Sequence, residues 1–289
     1  MLVGPVPACH LAPMRGEFVD VAGSRLYYYA AGSRGAGAPV VFIHGFPASS
    51  HLWHGVVREM PEGHRLVVVD QLGFGRSDGP GDAALTVAAH AARLKGFLDE
   101  LNIASACLVG HGMGGAVAQA VALDWPERVT SLGLVNSVAF ESWPRGAARL
   151  ARLVATWPPL GRALGAPLLA GLVHGSLLSG FADRESGRHA LDHYLRPFTS
   201  QLGVDSLVAQ LRAMPDAGVP ALGRRLTALV QPTAVVWGAL DPFLPVRTAL
   251  RLCDVIPGAS LDIIPQARHF SPADTPERVA ALLAVLLRR

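Results

Sequence analysis

Short, uninterrupted apolar runs recur along this chain, and they constrain its fold more than any other feature. They are Val40–Ile43, Leu66–Val69, Leu108–Val109, Leu132–Val135, Ala234–Trp237 and Leu261–Ile264. Strands that are apolar on both faces are typical of a parallel sheet covered by helices on its two sides. Because helical patterns such as Ala84–Leu101 lie between the runs, the sequence predicts an α/β protein with a mostly parallel, doubly wound sheet.

The two ends of the chain fit the same plan. Phe18–Val21 and Arg25–Ala30, joined by Ala22–Gly23–Ser24, predict an N-terminal β-hairpin. Thr275 is predicted to be the N-cap of a last helix, with Pro276 in its first turn.

The succession of strands stops between Asn136 and Pro232, where seven prolines divide the sequence. Proline interrupts helices, so this region predicts short helices rather than one long one. We therefore expect a helical cap at 141–228, inserted between core segments 1–140 and 229–289. Such an insertion would lie above the carboxyl ends of the strands, where open α/β sheets bind ligands.

Composition excludes several classes of protein. Hydrophobic residues make up 51% of the 289 residues and charged ones 16%, which argues against wholesale disorder. The net charge is only +3, and the arginines are scattered rather than gathered into a patch, so we expect no nucleic-acid partner. Three cysteines provide no disulfide framework, which favours the cytoplasm.

One stretch, Ala163–Phe181, is uncharged and approaches the length of a membrane span. It contains Pro167 and several glycines, and it lacks clear aromatic and basic anchors at its ends. We therefore expect a hydrophobic lid here and no membrane span.

A glycine-rich turn follows the apolar residues 106–109. It reads Gly110–His111–Gly112–Met113–Gly114 and precedes a helical pattern at Gly115–Trp125. A strand, a tight turn and a helix are the setting in which the pattern G-x-S-x-G presents a nucleophile. Here the central residue is Gly112, which has no side chain.

Four further polar motifs follow strands, and with the glycine turn they stand in a characteristic order. They are His44–Gly45–Phe46–Pro47, Asp70–Ser77, Trp237–Asp241 and Ala267–Phe270. With these motifs the sequence resembles the α/β-hydrolase family from about Glu17 to its C-terminus. The resemblance implies an α/β-hydrolase fold that carries a helical cap.

The same resemblance implies a set of site residues. His269 would be the general base and Asp241 the carboxylate that orients it. The backbone N–H groups of Phe46 and Met113 would form the oxyanion hole, and Gly112 would occupy the nucleophile position. We expect His44 and His111 to brace loops rather than transfer protons, and Asp70 to be a turn and cap residue.

Family members usually have Ser, Cys or Asp where this chain has Gly112, so we expect little or no nucleophilic hydrolysis by the chain as written. Three explanations stay open at this point. A Ser or Asp nucleophile was deliberately removed; or the glycine is natural and a His–Asp base activates water, deprotonates a carbon acid or assists a cyclisation; or the protein only binds a small molecule.

Resemblance also narrows the substrate class. Haloalkane dehalogenases usually carry Asn and Trp where this chain has Phe46 and Met113, and epoxide hydrolases use two lid tyrosines, of which only Tyr194 is available here. A small, largely apolar ester or lactone is the least specialised substrate that remains. Candidate substrate contacts are Trp53, Trp143, Trp157, Leu168 and Phe181. No metal or organic cofactor is implied, the expected partner is a small-molecule substrate, and the oligomeric state stays open.

Overall fold

A single sheet of eight strands forms the centre of the molecule in the computed structural model, which describes residues 16–33, 37–140, 171, 173–213 and 218–288. The strands are β1 (Gly16–Val21), β2 (Ser24–Ala31), β3 (Val40–Ile43), β4 (Leu66–Val69), β5 (Ala106–Gly112), β6 (Val129–Ser137), β7 (Thr233–Gly238) and β8 (Ser260–Ile264). Their order across the sheet is β1-β2-β4-β3-β5-β6-β7-β8. The first two pairings, β1 with β2 and β2 with β4, are antiparallel, and all the others are parallel. The predicted mostly parallel sheet with an N-terminal hairpin is confirmed.

Helices connect the parallel strands. In the described parts of the chain they are α1 (His54–Glu59), α2 (Val87–Glu100), α3 (Met113–Asp124), α4 (Arg184–Leu195), α5 (Gln201–Ala213), α6 (Gly218–Arg225), α7 (Val246–Val255), α8 (Ser271–Asp274) and α9 (Pro276–Leu286). Short 3-10 turns occur at Ser50–Trp53, Pro126–Arg128, Arg196–Thr199 and Leu226–Ala228.

The core lies on both faces of the sheet, because side chains alternate between faces along each strand. On β3, Val40 and Phe42 belong to the apolar cluster that contains residues of α1 and α9. Val41 and Ile43 belong to the opposite cluster, with residues of α2, α3 and α7. All four strand residues are completely buried, which explains why this strand reads as a continuous apolar run.

Helical structure fills the described residues between β6 and β7. Residues 173–178 are helical, and α4, α5 and α6 follow. The candidate contacts Trp143, Trp157 and Leu168 lie outside the described residues, as does the first part of the uncharged stretch. Among the residues that are described, no helix has both the length and the apolar character needed to cross a membrane. The cap boundaries stay a prediction.

Two helix starts differ from the sequence-based expectation. Helix α3 begins at Met113, two residues before the predicted start, because the chain turns directly from strand to helix at Gly112. Thr275 does precede α9, but its side chain makes no capping bond. Its hydroxyl instead donates to the carbonyl of Ser271 at 3.2 Å, so the predicted cap is wrong.

Candidate active site

The turn between β5 and α3 is built on the backbone conformation of Gly112. This residue has φ 54° and ψ −123°, in the region that favours glycine. A residue with a Cβ would hold the same conformation at a cost of about 1–3 kcal/mol. The turn is therefore formed as the sequence predicts, and glycine lowers the cost of forming it.

Close packing of backbone explains the neighbouring glycines. A Cβ on Gly114 would collide with the carbonyl oxygens of Ile43 and His44, and one on Gly110 would collide with the carbonyl of Gly114. The start of α3 thus lies directly against the end of β3. This contact brings the segment that holds Phe46 next to the glycine turn.

A side chain at position 112 would have room and would face a histidine. An ideal Cβ built on Gly112 lies 3.4 Å from the Cα of Gly45 and 3.9 Å from Nε2 of His269. No other atom of the described residues comes within 4 Å of that point. Both distances are ordinary van der Waals contacts, so a small side chain could be added without a collision.

His269 is paired with the predicted carboxylate. Its Nδ1 lies 2.8 Å from Oδ2 of Asp241, and the side chains are 5% and 0% exposed. A carboxylate accepts only, so Nδ1 carries the proton, and the neutral ring has its lone pair on Nε2. The nitrogen that can accept a proton is therefore the one nearest to Gly112.

Asp241 receives hydrogen bonds on both oxygens. Backbone N–H groups of Phe243 and Leu244 donate to Oδ1 at 2.8 and 2.9 Å, and Asn136 Nδ2 donates to Oδ2 at 2.7 Å. Burial alone would raise the pKa of this carboxyl. The charge and hydrogen bond of His269, together with the other donors, outweigh burial and lower the pKa from its usual value. Asp241 therefore stays ionised beside the imidazole.

Asn136 is a structural hub of the site that sequence reasoning missed. Besides donating to Asp241, its side-chain oxygen accepts from the N–H of Gly238 at 3.2 Å and from the hydroxyl of Ser271 at 2.7 Å. It is completely buried and has φ 41°, a conformation that Asn tolerates better than most residues. It joins the ends of β6 and β7 to the helix that follows His269. The sequence offers little signal for this role beyond an Asn at a strand end.

His111 holds the backbone of the His269 loop. Its Nε2 donates to the carbonyl of His269 at 3.0 Å, and its ring stacks on Phe270 with centroids 5.7 Å apart. Burial lowers its pKa to about 3, so the ring is neutral at neutral pH. This geometry fits the bracing role expected for His111.

His44 and Asp70 fix the loop that contains Phe46. The N–H of Gln71 donates to His44 Nε2 at 3.0 Å, and the Gln71 side chain donates to the His44 carbonyl at 2.7 Å. Asp70 accepts from the N–H of Ser50 at 2.5 Å and from that of Arg76 at 2.8 Å. Both side chains serve as loop braces, as expected.

The structure brings the five principal candidates together. Phe46 directly follows Gly45, whose Cα touches the Cβ position of residue 112, and Met113 is the first residue of α3. Their N–H groups therefore flank the point that a side chain at Gly112 would occupy, and the positive end of the α3 dipole lies there too.

Two candidate contacts are corrected. Trp53 has no exposed surface; it packs on Phe42 and His111 within the core and offers substrate no surface. Phe181 is only 3% exposed and stacks on Phe270 at 4.3 Å, so it supports the residue beside His269 rather than lining a binding surface. A large aromatic side chain gains more from core packing than its place in the sequence shows.

Comparison with known proteins identifies the family. The family model for the alpha/beta hydrolase fold matches residues 38–276. A 2-hydroxymuconate semialdehyde hydrolase of a Pseudomonas strain is 30% identical, and the alignment covers 96% of this chain and 95% of that protein. Haloalkane dehalogenase 2 of Mycobacterium tuberculosis is 26% identical over 98% of both chains.

A solved structure adds a third similarity. The structure of Est816, described as an N-acyl homoserine lactone degrading enzyme, superposes with a TM-score of 0.72 at 28% identity, covering 92% of this chain and 98% of that one. This chain belongs to the alpha/beta hydrolase fold family, and it is an enzyme of the hydrolase class.

Proposed function

We propose that this protein acts on a small, largely apolar ester or lactone, with the carbonyl carbon placed between Gly112 and His269. The observation that carries the proposal is the orientation of His269. Asp241 holds its Nδ1, while its Nε2 lies 3.9 Å from the Cβ position of residue 112. An imidazole held in this way can take a proton from any nucleophile that attacks from the position of residue 112.

The proposed oxyanion hole consists of backbone groups alone. The N–H groups of Phe46 and Met113 would donate to the carbonyl oxygen as it becomes negative in the transition state. Their positions depend on the packing of β3 against α3 and on the loop braces described above. They do not depend on the side chain at residue 112.

The substrate class rests on the family and on the two residues that flank the site. Phe46 and Met113 stand where haloalkane dehalogenases usually provide Asn and Trp to hold a halide, which disfavours halide release. Est816 is described as degrading an acyl lactone, and an ester or lactone requires only a base and an oxyanion hole besides the nucleophile.

The decisive experiment restores a nucleophile at Gly112. We expect Gly112→Ser to hydrolyse chromogenic esters or lactones at least about 10³-fold faster than the parent chain, since loss of a nucleophile removes most of the gain of a triad. The added Ser must depend on His269, so the double variant Gly112→Ser/His269→Ala should lose this gain.

Gly112→Asp is the matched alternative, because it adds a carboxylate nucleophile at the same strained position. If only the Asp variant gains activity, and only on halide or epoxide substrates, the ester and lactone assignment is wrong. If neither variant gains activity while both remain folded and a ligand still binds, the protein is a binding protein.

A second candidate function is direct activation of water by the His269–Asp241 pair. It is favoured by one observation, the free Nε2 of His269 beside a residue that has no side chain. Slow ester hydrolysis by the parent chain that disappears in His269→Ala, with no burst of released alcohol, is the expected signature.

A further inference from the structure

The space in front of Gly112 adjoins both a base and two backbone donors. The described residues within 4 Å of the missing Cβ are Gly45 and His269, and they contribute one Cα and one ring nitrogen. A serine side chain would add two non-hydrogen atoms here. Several small molecules of that size carry a nucleophilic N–H, O–H or S–H group.

A free molecule sits differently from a covalent side chain. It cannot approach the Cα of Gly112 more closely than van der Waals contact, so its attacking atom lies farther from the turn than a serine oxygen would. This displacement moves the attacking atom away from the turn and into the space where the substrate carbonyl would be held. Size is thus limited on the Gly45 side, while the side toward His269 stays reactive.

We propose that the chain as it stands catalyses acyl transfer from an ester to a small external nucleophile of one or two non-hydrogen atoms, which enters the space that Gly112 leaves beside His269. This inference rests on the proposed function, because it uses the same base, the same oxyanion hole and the same acyl donor. It differs in the attacking group, which is neither a protein side chain nor water.

The chemistry balances with hydroxylamine as the nucleophile. Its nitrogen forms a bond to the carbonyl carbon, and the π electron pair moves to the oxygen, where the N–H groups of Phe46 and Met113 donate to it. His269 Nε2 accepts one proton from the attacking nitrogen. The bond between carbon and the alcohol oxygen then breaks, and His269 returns that proton to the departing alkoxide, giving a hydroxamate and an alcohol.

The experiment measures hydroxamate formed from a 4-nitrophenyl ester and hydroxylamine, after subtraction of the reaction without protein. A positioned general base contributes about 10²–10⁴-fold. We therefore expect the parent chain to exceed the free reaction clearly and His269→Ala to reduce hydroxamate formation at least about 100-fold.

Gly112→Ala is the critical control. It adds only a methyl group at the point where the nucleophile would enter, and it leaves the base and the oxyanion donors in place. We expect it to lower hydroxamate formation at least about tenfold, and we expect a bulkier amine such as butylamine to gain nothing from the parent chain. Gly112→Ser carries the same backbone strain, so a folded, active Ser variant shows that the turn tolerates a Cβ.

The outcomes separate this inference from the proposed function. If Gly112→Ser hydrolyses the ester with the help of His269 but the parent chain forms no hydroxamate above background, only the inference is overturned. An Ala variant as fast as the parent also overturns it, because the reaction would then occur elsewhere. If the Ser variant is inactive as well, both fail.

Discussion

The two sides of the candidate active site are built in different ways. The β5–α3 turn is made of backbone, since Gly110 and Gly114 allow close contact with β3 and Gly112 supplies a positive φ. The opposite side is made of side chains, with Asp241 and His269 held by hydrogen bonds.

This difference explains how the site keeps its shape without a nucleophile. Nothing in the turn depends on a side chain at position 112, and glycine is the residue best suited to its conformation. On the other side, each replaced residue would leave a buried partner unsatisfied, which costs about 1–3 kcal/mol for each neutral group. Substitutions should therefore have larger effects on the side of His269.

The largest effect is expected from Asp241→Asn in the Gly112→Ser background. The amide can donate to Nδ1 and so favour the tautomer of His269 whose Nε2 is already protonated, which should lower kcat by about 10³–10⁴-fold. Steady-state kinetics on an activated ester measure this. A loss of less than tenfold in a folded variant would contradict the role given to Asp241.

Acid stability tests the bracing side of the same region. The pKa of His111 is about 3 in the folded protein and about 6.5 when unfolded. Its contribution to stability is therefore complete above pH 6.5 and is lost as the pH falls from 6.5 towards 3, by about 1.4 kcal/mol for each pH unit. We expect His111→Leu to flatten the dependence of the free energy of unfolding on pH by one proton, as measured by urea denaturation at several pH values.

His90→Leu is the matched control, because burial also lowers the pKa of His90 in α2 to about 3. Both substitutions should flatten the pH dependence of stability. Only the His111 variant should also slow the Gly112→Ser enzyme, since His111 donates to the His269 carbonyl. Equal kinetic effects of the two would argue against a specific role for His111.

The glycine side should show a smaller, purely conformational effect. Gly112→Ala is expected to lower the free energy of unfolding by about 1–3 kcal/mol, the cost of a strained backbone conformation. Gly79→Ala is the control, because Gly79 has ordinary φ and open space around its Cβ position. A Gly112 variant as stable as the Gly79 variant would mean that the turn relaxes.

The smallest effect is expected from Asn136→Ala in the Gly112→Ser background. Loss of the donor to Asp241 removes one of the interactions that lower the pKa of that carboxyl. Asp241 would then be protonated at a higher pH, so the acid limb of the pH–kcat profile should shift upwards, and kcat should fall by about tenfold, the result of losing roughly 1.4 kcal/mol.

Asn102→Ala serves as the control for Asn136, since Asn102 also has positive φ, at 51°, but lies exposed at the end of α2. It should change stability without moving the pH profile. A shift of the acid limb in this control would show that backbone strain, rather than the bond to Asp241, causes the effect.

Local patterns predicted the sheet well, because the residues that form its strands are buried on both faces. Val40–Ile43 and Leu66–Val69 were predicted with their observed bounds, and the other runs lie within longer strands. The glycine turn was also predictable, since its chemistry lies within a few adjacent residues. Trp53 could not be placed by pattern, because the same residue type serves in a core or at a binding surface.

The sequence by itself determined the apolar strands, the family's order of motifs and the absence of a side chain at Gly112. The tertiary structure alone decided which polar groups meet: Asn136 bonds to Asp241 across 105 positions, and His111 bonds to His269 across 158. The reason is physical. Strand propensity and turn conformation depend on neighbouring residues, whereas a hydrogen bond between distant segments exists only after the sheet has aligned the ends of its strands.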